Sequence, residues 1–235
     1  MASDNEAILL KDEEEEQVKP IIFVSKKQNI AFRFIKRTID ILAGIVGIIL
    51  LIPITLVVAI MRIIKKENSG PIFYEQLRIG KNGKQFRMYK FRSMCLNADE
   101  TLKKYLEENE DAKREYKKYK KLKYDPRITK VGKVLRATSL DEFPQFINVL
   151  KGDMSLVGPR PYLPREKNDM GKYYNIIIKI KPGVTGPWQI RGRSNISFED
   201  RLKIDAEYIQ KMSITNDVKM VLKTLTKVVK KDGAL

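Results

Sequence analysis

The chain has 235 residues, with 46 basic and 29 acidic side chains and a formal net charge of +17 at pH 7. It contains no histidine and a single cysteine, which excludes Ser-His-Asp and Cys-His catalysis and any histidine-ligated metal site. The positive balance favours a polyanionic partner, which could be nucleic acid, anionic lipid or a phosphorylated substrate. If the protein is an enzyme, carboxylates must therefore carry much of its chemistry.

The chain begins with an acidic segment, residues 1–29. Its first sixteen residues hold seven acids and one lysine. The segment lacks the basic start and apolar centre of a secretory signal, so we predict a solvated, disordered tail. The single cysteine, Cys95, forms no internal disulfide, which fits a reducing compartment.

A membrane element follows at residues 30–66. Residues 41–61 are uncharged and overwhelmingly apolar, and the run is long enough to cross a bilayer. Pro53 near its middle predicts a break or kink. Basic residues flank both ends, whereas a spanning helix normally carries them on one side. These features favour a re-entrant helix that bends at Pro53 and returns, with a kinked span as the alternative; the flanking basic residues are Arg33, Lys36, Arg37, Arg62, Lys65 and Lys66.

The segments between the membrane element and residue 139 have recognisable patterns. Residues 71–94 predict a β-hairpin around the turn Gly80-Lys81-Asn82-Gly83. Residues 97–123 are dense in Glu and Lys, which predicts a solvated helix with a thin apolar seam and a structural role. Asp125-Pro126 predicts a turn before a short apolar-basic segment at 128–135.

The next motif is a carboxylate pair, Asp141 and Glu142, at what has the pattern of a helix start. A helix start collects unpaired backbone N–H groups and the positive end of the dipole, so it keeps carboxylates ionised and attracts phosphate. A structural interpretation competes, because Ser139 and Glu142 have the spacing of a capping box. Pro144 favours a start nearer Asp141, which places the proline in the first turn. This segment alone favours the structural interpretation.

Two stretches rich in Gly and Pro, residues 152–161 and 181–193, predict loops. The first presents Arg160 between two prolines. Neither stretch has the spacing of a Walker loop or a dinucleotide fingerprint, so we expect anion contact through backbone and arginine rather than a nucleotide fold.

The C-terminal segment, residues 213–235, predicts a basic amphipathic helix. Lysines alternate with apolar residues at helical spacing, and the apolar positions are Val218, Val221, Leu222, Leu225, Val228 and Val229. Such a helix can lie on an anionic membrane surface or pack on the protein's own core, and both alternatives stay open.

Taken in order, these motifs resemble the bacterial sugar transferases, the monotopic polyprenyl-phosphate phosphoglycosyl transferases, from about residue 36 to about residue 208. Each matching piece is short, but their order and spacing are specific, and they reverse the structural interpretation of the carboxylate pair. The pieces are Lys36-Arg37 with Asp40, Gly70-Pro71-Ile72-Phe73 leading to Gln76 and Arg78, Lys90-Phe91-Arg92-Ser93-Met94, Asp125-Pro126-Arg127-Ile128-Thr129, Ser139-Leu140-Asp141-Glu142, Gly158-Pro159-Arg160-Pro161 and Lys181-Pro182-Gly183-Val184-Thr185-Gly186.

The resemblance implies transfer of a sugar 1-phosphate from a nucleotide diphosphate sugar to a membrane polyprenyl phosphate, with release of nucleoside monophosphate. The implied donor is a uridine diphosphate hexose or N-acetylated hexose, and the implied place is the cytoplasmic face of the bacterial inner membrane. Asp141 is the implied nucleophile, and magnesium is the implied cofactor at Asp141 and Glu142. One residue departs from the family pattern, because Ile52 stands where a serine often precedes the proline.

Four basic residues are candidates for phosphate contact in this chemistry. Arg136 and Arg160 are best placed to neutralise the diphosphate. Lys90 and Arg92 are lesser candidates. Adjacent helical side chains diverge by roughly 100°, so Glu142 is expected to bind metal or handle protons while Asp141 attacks.

The sequence therefore predicts a mixed α/β, helix-rich fold: the tail at 1–29, the re-entrant helix at 30–66, a small cytoplasmic catalytic domain at 67–212 with a short β-hairpin and amphipathic interfacial helices, and the helix at 213–235. The expected partners are a nucleotide diphosphate sugar, polyprenyl phosphate and anionic membrane lipid. No nucleic acid is expected, because no helix-turn-helix, RNP-type or zinc motif is visible. The alternative is a membrane-anchored basic binding or scaffold protein without catalysis.

Overall fold

The computed structural model describes residues 29–67, 70–191 and 196–229, with side chains described through residue 226. The predicted acidic tail lies outside these residues except for Asn29. This asparagine caps the first helix, since its side chain accepts a hydrogen bond from the backbone N–H of Ala31 (3.1 Å).

The fold is helix-rich α/β, with two small sheets and one long apolar helix near the N-terminus. The strands are β1 (Phe73–Ile79), β2 (Gln85–Phe91), β3 (Ser155–Val157) and β4 (Gly183–Thr185). The helices are α1 (Ile30–Ile64), α2 (Ala98–Glu108), α3 (Glu110–Tyr119), α4 (Lys130–Thr138), α5 (Gln145–Lys151), α6 (Tyr174–Ile177), α7 (Pro187–Arg191), α8 (Phe198–Gln210) and α9 (Ile214–Val229).

The predicted membrane element is α1, which is 35 residues long and apolar enough to cross a membrane by length and composition. Pro53 lies inside the helix and does not end it. Proline removes one backbone hydrogen bond, but the turns on both sides of it are retained. A break at this residue is therefore excluded, while a bend and a re-entrant path stay predictions.

One face of α1 packs against the rest of the protein over most of its length. Between Asp40 and Arg62 this face covers about 33 Å at ~1.5 Å per residue. The remaining surface of α1 is exposed and apolar, as at Phe34, which is 73% exposed, and Ile52, which is 72% exposed. The buried positions recur at helical spacing and are Asp40, Gly44, Gly47, Leu51, Val58 and Arg62.

Polar contacts hold α1 at both ends of this interface. Arg37 donates to the backbone carbonyls that end α5, at 2.7 and 2.8 Å. Asp40 is buried and accepts from the backbone N–H of Leu156 (2.7 Å). Near the other end, Arg62 donates to the carbonyl of Gly70 (2.5 Å). These residues explain why basic and acidic side chains border the apolar run.

The predicted hairpin is confirmed. β1 and β2 pair antiparallel, from Phe73 opposite Phe91 to Ile79 opposite Gln85. The connecting turn places Asn82 in the left-handed region at φ 57°, a conformation that asparagine tolerates well.

The predicted single helix at 97–123 is wrong, because the chain forms α2 and α3 with a break at Asn109. This residue has extended backbone (φ −136°, ψ 98°), and its side chain donates to the carbonyl of Tyr105 (3.0 Å). A side chain that bonds the preceding turn competes with helix continuation. The predicted apolar seam is present as a cluster around Leu102, Ala112 and Leu122.

The two Gly- and Pro-rich stretches are not only loops. Each contributes a short strand, and β3 pairs with β4 in parallel, with Ser155 opposite Gly183. The N–H of Gly158 continues the pairing by donating to the carbonyl of Thr185 (2.9 Å). A Cβ atom on Gly183 would collide with the backbone of Gly158, so glycine permits this close approach.

The C-terminal helix α9 is amphipathic as predicted, and it packs on the protein through one side. Its Asp217 is buried and accepts from Lys36 (2.5 Å) and from the hydroxyl of Tyr208 (2.7 Å). Leu222 and Leu225 on the same helix are each 57% exposed. Contact with a membrane stays a prediction for this exposed side, as do the domain limits predicted from the sequence.

The close contact between α1 and α5 generates a stability prediction. A Cβ atom at Gly47 would overlap the ring of Phe146, so Gly47→Leu must push the helices apart. We expect a loss of about 1–3 kcal/mol in the free energy of unfolding, seen as a lower unfolding temperature in detergent. Val46→Leu, at a position 56% exposed, is the matched control. Equal unfolding temperatures for the two variants would contradict this packing.

Candidate functional site

The carboxylate pair lies in a 3-10 turn, Leu140–Glu142, between α4 and α5. Ser139 adopts φ 58° and ends α4, and its side chain makes no capping hydrogen bond to the turn that follows. The competing capping-box interpretation is therefore wrong, because Ser139 ends α4 and stands before the 3-10 turn without a side-chain capping bond to it. Pro144 stands at the start of α5, where its missing N–H costs no helical hydrogen bond.

Two helices hold this turn in place. Thr129 caps α4 by accepting from the N–H of Gly132 (2.9 Å). After the turn, Phe143 packs with Leu140 into the cluster formed by residues of α1, β2 and α4, which include Leu51. The carboxylate turn is therefore anchored on α1, the candidate membrane helix.

Asp141 is the more buried of the two carboxylates, with 8% of its surface exposed. The ammonium of Lys90, on β2, lies 3.9 Å from Asp141 and 3.0 Å from Glu142. The pKa of Asp141 is raised to about 6: burial is the largest cause and the charge of Glu142 adds to it, while the charges of Lys90 and Arg136 oppose the rise. Asp141 is therefore a more basic carboxylate than usual that is still largely ionised at neutral pH.

Arg136 lies in the last turn of α4, five residues before Asp141. Its Nε donates to the hydroxyl of Ser93 (3.0 Å), and its charge acts on Asp141. The structure thus brings Arg136 and Lys90 to the carboxylate pair from two different elements.

The other two predicted phosphate contacts lie elsewhere. The guanidinium of Arg160, on the loop after β3, lies 5.4 Å from the ring centroid of Trp188. Arg92 donates to the carbonyl of Pro71 (3.0 Å) and lies 5.1 Å from the ring of Tyr74, at the base of the hairpin. Neither arginine forms an ion pair with the carboxylates among the described contacts.

Two residues of this site were missing from the sequence-based candidates. Gln189, on α7, donates from Nε2 to Glu142 (3.4 Å) and to the carbonyl of Val184 (3.2 Å). Arg78, on β1, is buried, and burial together with the nearby charge of Arg160 lowers its pKa to about 9. Arg78 stands in one of the pieces that carry the family resemblance, and that signal could have identified it.

The two carboxylates of this site suit magnesium only if a bound substrate supplies further ligands. Within the described residues, no group of three or more Asp, Glu, His or Cys side chains is arranged to hold a metal ion. Magnesium is commonly held by one or two carboxylates together with substrate phosphates and water. Asp141 and Glu142 fit that arrangement, with a bound diphosphate supplying further oxygens.

Comparison with known proteins gives consistent matches. The sequence profile described as "Bacterial sugar transferase" matches residues 31–231. The chain is 43% identical to the "Undecaprenyl-phosphate galactose phosphotransferase" of Salmonella typhimurium, over 86% of this chain and 42% of that protein. It is 36% identical to the "UDP-glucose:undecaprenyl-phosphate glucose-1-phosphate transferase" of Escherichia coli, over 83% of this chain and 40% of that protein. The chain spans less than half the length of these two relatives.

A shorter relative is matched along most of its length. The chain is 41% identical to "Exopolysaccharide production protein ExoY" of Rhizobium meliloti, over 81% of this chain and 83% of that protein. The similarity thus includes α1, the carboxylate turn and the two short strands together.

The raised pKa of Asp141 generates a prediction about stability. Because folding raises this pKa from 3.8 to about 6, the folded state binds more protons between these pH values, and stability falls as pH rises through them. Asp141→Asn removes the effect, so we expect the variant to exceed wild type by about 1–3 kcal/mol at pH 8. The difference should disappear near pH 4, as measured by thermal unfolding in detergent.

The matched control is Asp111→Asn, because the side chain of Asp111 is fully exposed (100%). Its stability relative to wild type should change little with pH. The burial argument fails if Asp141→Asn is less stable than wild type at pH 8.

Proposed function

The chain belongs to the bacterial sugar transferase family, and we propose that it transfers a sugar 1-phosphate from a nucleotide diphosphate sugar to a polyprenyl phosphate. The observation that carries this proposal is the buried Asp141 next to Glu142, with Lys90 and Arg136 beside them, on a turn anchored to α1. The names of the relatives from Salmonella and Escherichia coli support the same class of reaction. The donor is proposed to carry uridine.

The proposed reaction has two displacements at one phosphorus atom. An oxygen of Asp141 attacks the phosphorus that bears the sugar, and the bond to the bridging oxygen breaks and releases nucleoside monophosphate. The phosphate oxygen of the polyprenyl phosphate then attacks the same phosphorus. The bond to Asp141 breaks, which restores the carboxylate and yields a polyprenyl diphosphate sugar.

The charges around Asp141 suit both displacements. Its pKa of about 6 leaves the carboxylate ionised at neutral pH and more nucleophilic than an ordinary aspartate. Lys90 offsets the repulsion between this carboxylate and the incoming phosphate, and Arg136 adds a second positive charge. Gln189 orients Glu142 through its amide N–H.

Magnesium is proposed to bind Asp141 and Glu142 together with the diphosphate. When bound, it supplies positive charge that neutralises the diphosphate and the charge developing on the leaving oxygen. Lys90 and Gln189 fix Glu142 for this role, since each contacts a different carboxylate oxygen (3.0 and 3.4 Å).

We further propose that α1 is re-entrant and that the catalytic domain lies on the cytoplasmic face of the bacterial inner membrane. The proposal is supported by contacts on both sides of Pro53 with the same domain. Asp40 contacts Leu156 before the proline, and Val58 packs with the cluster of β2 and α4 after it. A straight span would draw the part of the domain that carries these contacts into the bilayer core, where its charged side chains are costly. The proposed reaction is the first membrane step of glycan assembly.

The nucleophile assignment predicts that Asp141→Asn abolishes transfer. An amide does not attack phosphorus usefully, so we expect release of nucleoside monophosphate to fall by about 10³-fold or more. The assay supplies a series of UDP-sugars, undecaprenyl phosphate and magnesium to the purified protein in detergent. Mass spectrometry of wild type incubated with donor alone should find a phosphosugar adduct on Asp141.

The matched control for this assay is Asp169→Asn, at a side chain that is 47% exposed and paired with Lys120. It should retain activity and adduct. An adduct on another residue would assign the nucleophile to that residue. If wild type releases no nucleoside monophosphate with any UDP-sugar, the binding or scaffold alternative is favoured.

The re-entrant path makes a topology prediction. A cysteine placed at Ser3 in a Cys95→Ser background should resist a membrane-impermeant thiol reagent in intact cells and react after lysis, because both ends of α1 are then cytoplasmic. Pro53→Ala should straighten α1 and shift some molecules toward a spanning form, with labelling in intact cells. If the cysteine at position 3 is labelled in intact cells while Pro53 is retained, α1 spans the membrane.

A further inference from the structure

Unpaired buried polar atoms concentrate at one place beside the carboxylate site. Most buried polar atoms in folded proteins have hydrogen-bond partners, so such a concentration indicates a partner supplied from outside. Counted over the part of the chain that the structure describes, five buried atoms without a partner surround Trp188 and the loop after β3: Arg78 Nε, Arg160 Nε, Arg201 Nε, Gln189 Oε1 and Asp205 Oδ1.

The three arginines form one basic cluster. The guanidinium carbons of Arg160 and Arg201 lie 5.4 and 5.7 Å from the ring centroid of Trp188. Arg78 donates to the carbonyl of Pro161 (2.8 Å), next to Arg160. Arg78 and Arg201 are 7% and 3% exposed. Several elements therefore direct guanidinium groups to one small region.

The positive charge of the cluster exceeds the negative charge beside it, which comes from the buried Glu166 acting on Arg78 and Arg201 and from Glu142 acting on Arg78. The pKa of Arg78 is lowered to about 9 and that of Arg201 to about 10. In both cases burial is the larger cause, and the charge of Arg160 is the next. Lys121 belongs to the same region, because Arg201 donates to the carbonyl of Tyr119 (2.9 Å), two residues before it; burial and the charge of Arg201 lower the pKa of Lys121 to about 8. Burial raises the pKa of Asp205 to about 7, so this carboxyl is only partly ionised at neutral pH. A bound dianion would relieve the repulsion among these cations.

The position of the cluster indicates which phosphate it binds. Leu140 and Phe143 pack on the cluster that includes Leu51 of α1, so under the proposed function the lipid phosphate approaches the carboxylate turn from that side. The cluster lies on β1, the loop after β3, and α8, and it borders the catalytic turn through Gln189, which contacts Glu142. A diphosphate whose sugar-bearing phosphorus sits at Asp141 can therefore extend its other phosphate away from α1 into the cluster.

We infer that Arg78, Arg160 and Arg201 bind the phosphate of the departing nucleoside monophosphate, with Lys121 adding a fourth positive charge. This inference rests on the proposed function and assigns the second phosphate of its donor. Trp188, which contacts two of the arginines, is then positioned to sense the bound nucleotide.

Trp188 is the only tryptophan in the chain, so its fluorescence reports this cluster directly. The full chain carrying Asp141→Asn, which blocks the chemistry, is titrated in detergent with uridine 5′-monophosphate. We expect a saturable change in Trp188 emission. Arg201→Gln and Lys121→Gln should each weaken binding by about ten- to a hundredfold, because each removes a charge-assisted contact.

The matched control is Arg191→Gln, on the same helix as Trp188, because Arg191 is exposed and paired with Glu207 (3.0 Å). It should bind with unchanged affinity. If Arg201→Gln does not fold, Lys121→Gln provides the test, because Lys121 is only half-buried and its replacement should disturb folding less. Unchanged emission with the nucleotide, or unchanged affinity in Lys121→Gln, overturns the inference.

A second titration, with farnesyl phosphate in place of the nucleotide, tests whether the cluster binds a lipid phosphate instead. A change in Trp188 emission with farnesyl phosphate and none with the nucleotide overturns the inference. The proposed function is tested independently by transfer in wild type. If the protein binds the nucleotide at Trp188 but transfers no sugar phosphate, only the proposed function is refuted. If it transfers sugar phosphate but does not bind the nucleotide at Trp188, only the assignment of the arginine cluster is refuted.

Discussion

The docking of α1 along the catalytic domain is the interaction on which the rest of the structure depends. Gly44 and Gly47 allow α1 to approach α5 closely, because any side chain there would collide with Leu150 or Phe146. The same helix supplies Leu51 to the cluster that holds the residues on either side of Asp141. The turn that carries Asp141 is therefore positioned by packing on the candidate membrane helix. Under the proposed function, membrane attachment and catalysis would depend on the same packing.

Around the site, the protein buries charged groups that its own opposite charges neutralise only in part. Asp141 is buried with a raised pKa, and the arginines near Trp188 are buried with lowered ones. Each group alone costs stability, since burial disfavours the charged form. The costs are understandable if the opposite charges arrive with the substrate: phosphate for the arginines, and a cation for the carboxylates. Buried charged groups with shifted pKa values are typical of binding sites rather than of structural cores.

The parts of the fold that local chemistry determines could be predicted from the sequence. The hairpin followed from alternation around the turn at Asn82, and α9 followed from helical spacing. Ser139 was misassigned because it ends α4 in a left-handed conformation, which the capping-box spacing does not reveal. The β3–β4 pairing joins short strands far apart in the chain, so no local pattern predicts it.

Sequence patterns reveal contacts between residues that are close in the chain, and this explains which residues of the site could be identified from the sequence. Adjacent residues such as Asp141 and Glu142 were visible as a motif, and the resemblance added Lys90 and Arg136. The contact between Gln189 and Glu142 spans 47 positions, so it depends on tertiary packing. Arg78 belongs to one of the pieces that carry the family resemblance, but the sequence shows no partner for it. Its significance follows only from its burial beside Arg160.

The arrangement also explains how one small site can serve two bulky partners in the proposed reaction. In the proposed reaction the lipid phosphate approaches Asp141 from the α1 side, and the nucleotide phosphate is inferred to bind the arginines near Trp188. A covalent intermediate on Asp141 lets the nucleotide leave before the lipid phosphate attacks, so the two anions are never held at the phosphorus together. A direct transfer would instead require both to be bound at once, with their charges repelling across a buried site. In the proposed reaction, a buried nucleophile thus replaces one electrostatically unfavourable encounter with two successive steps.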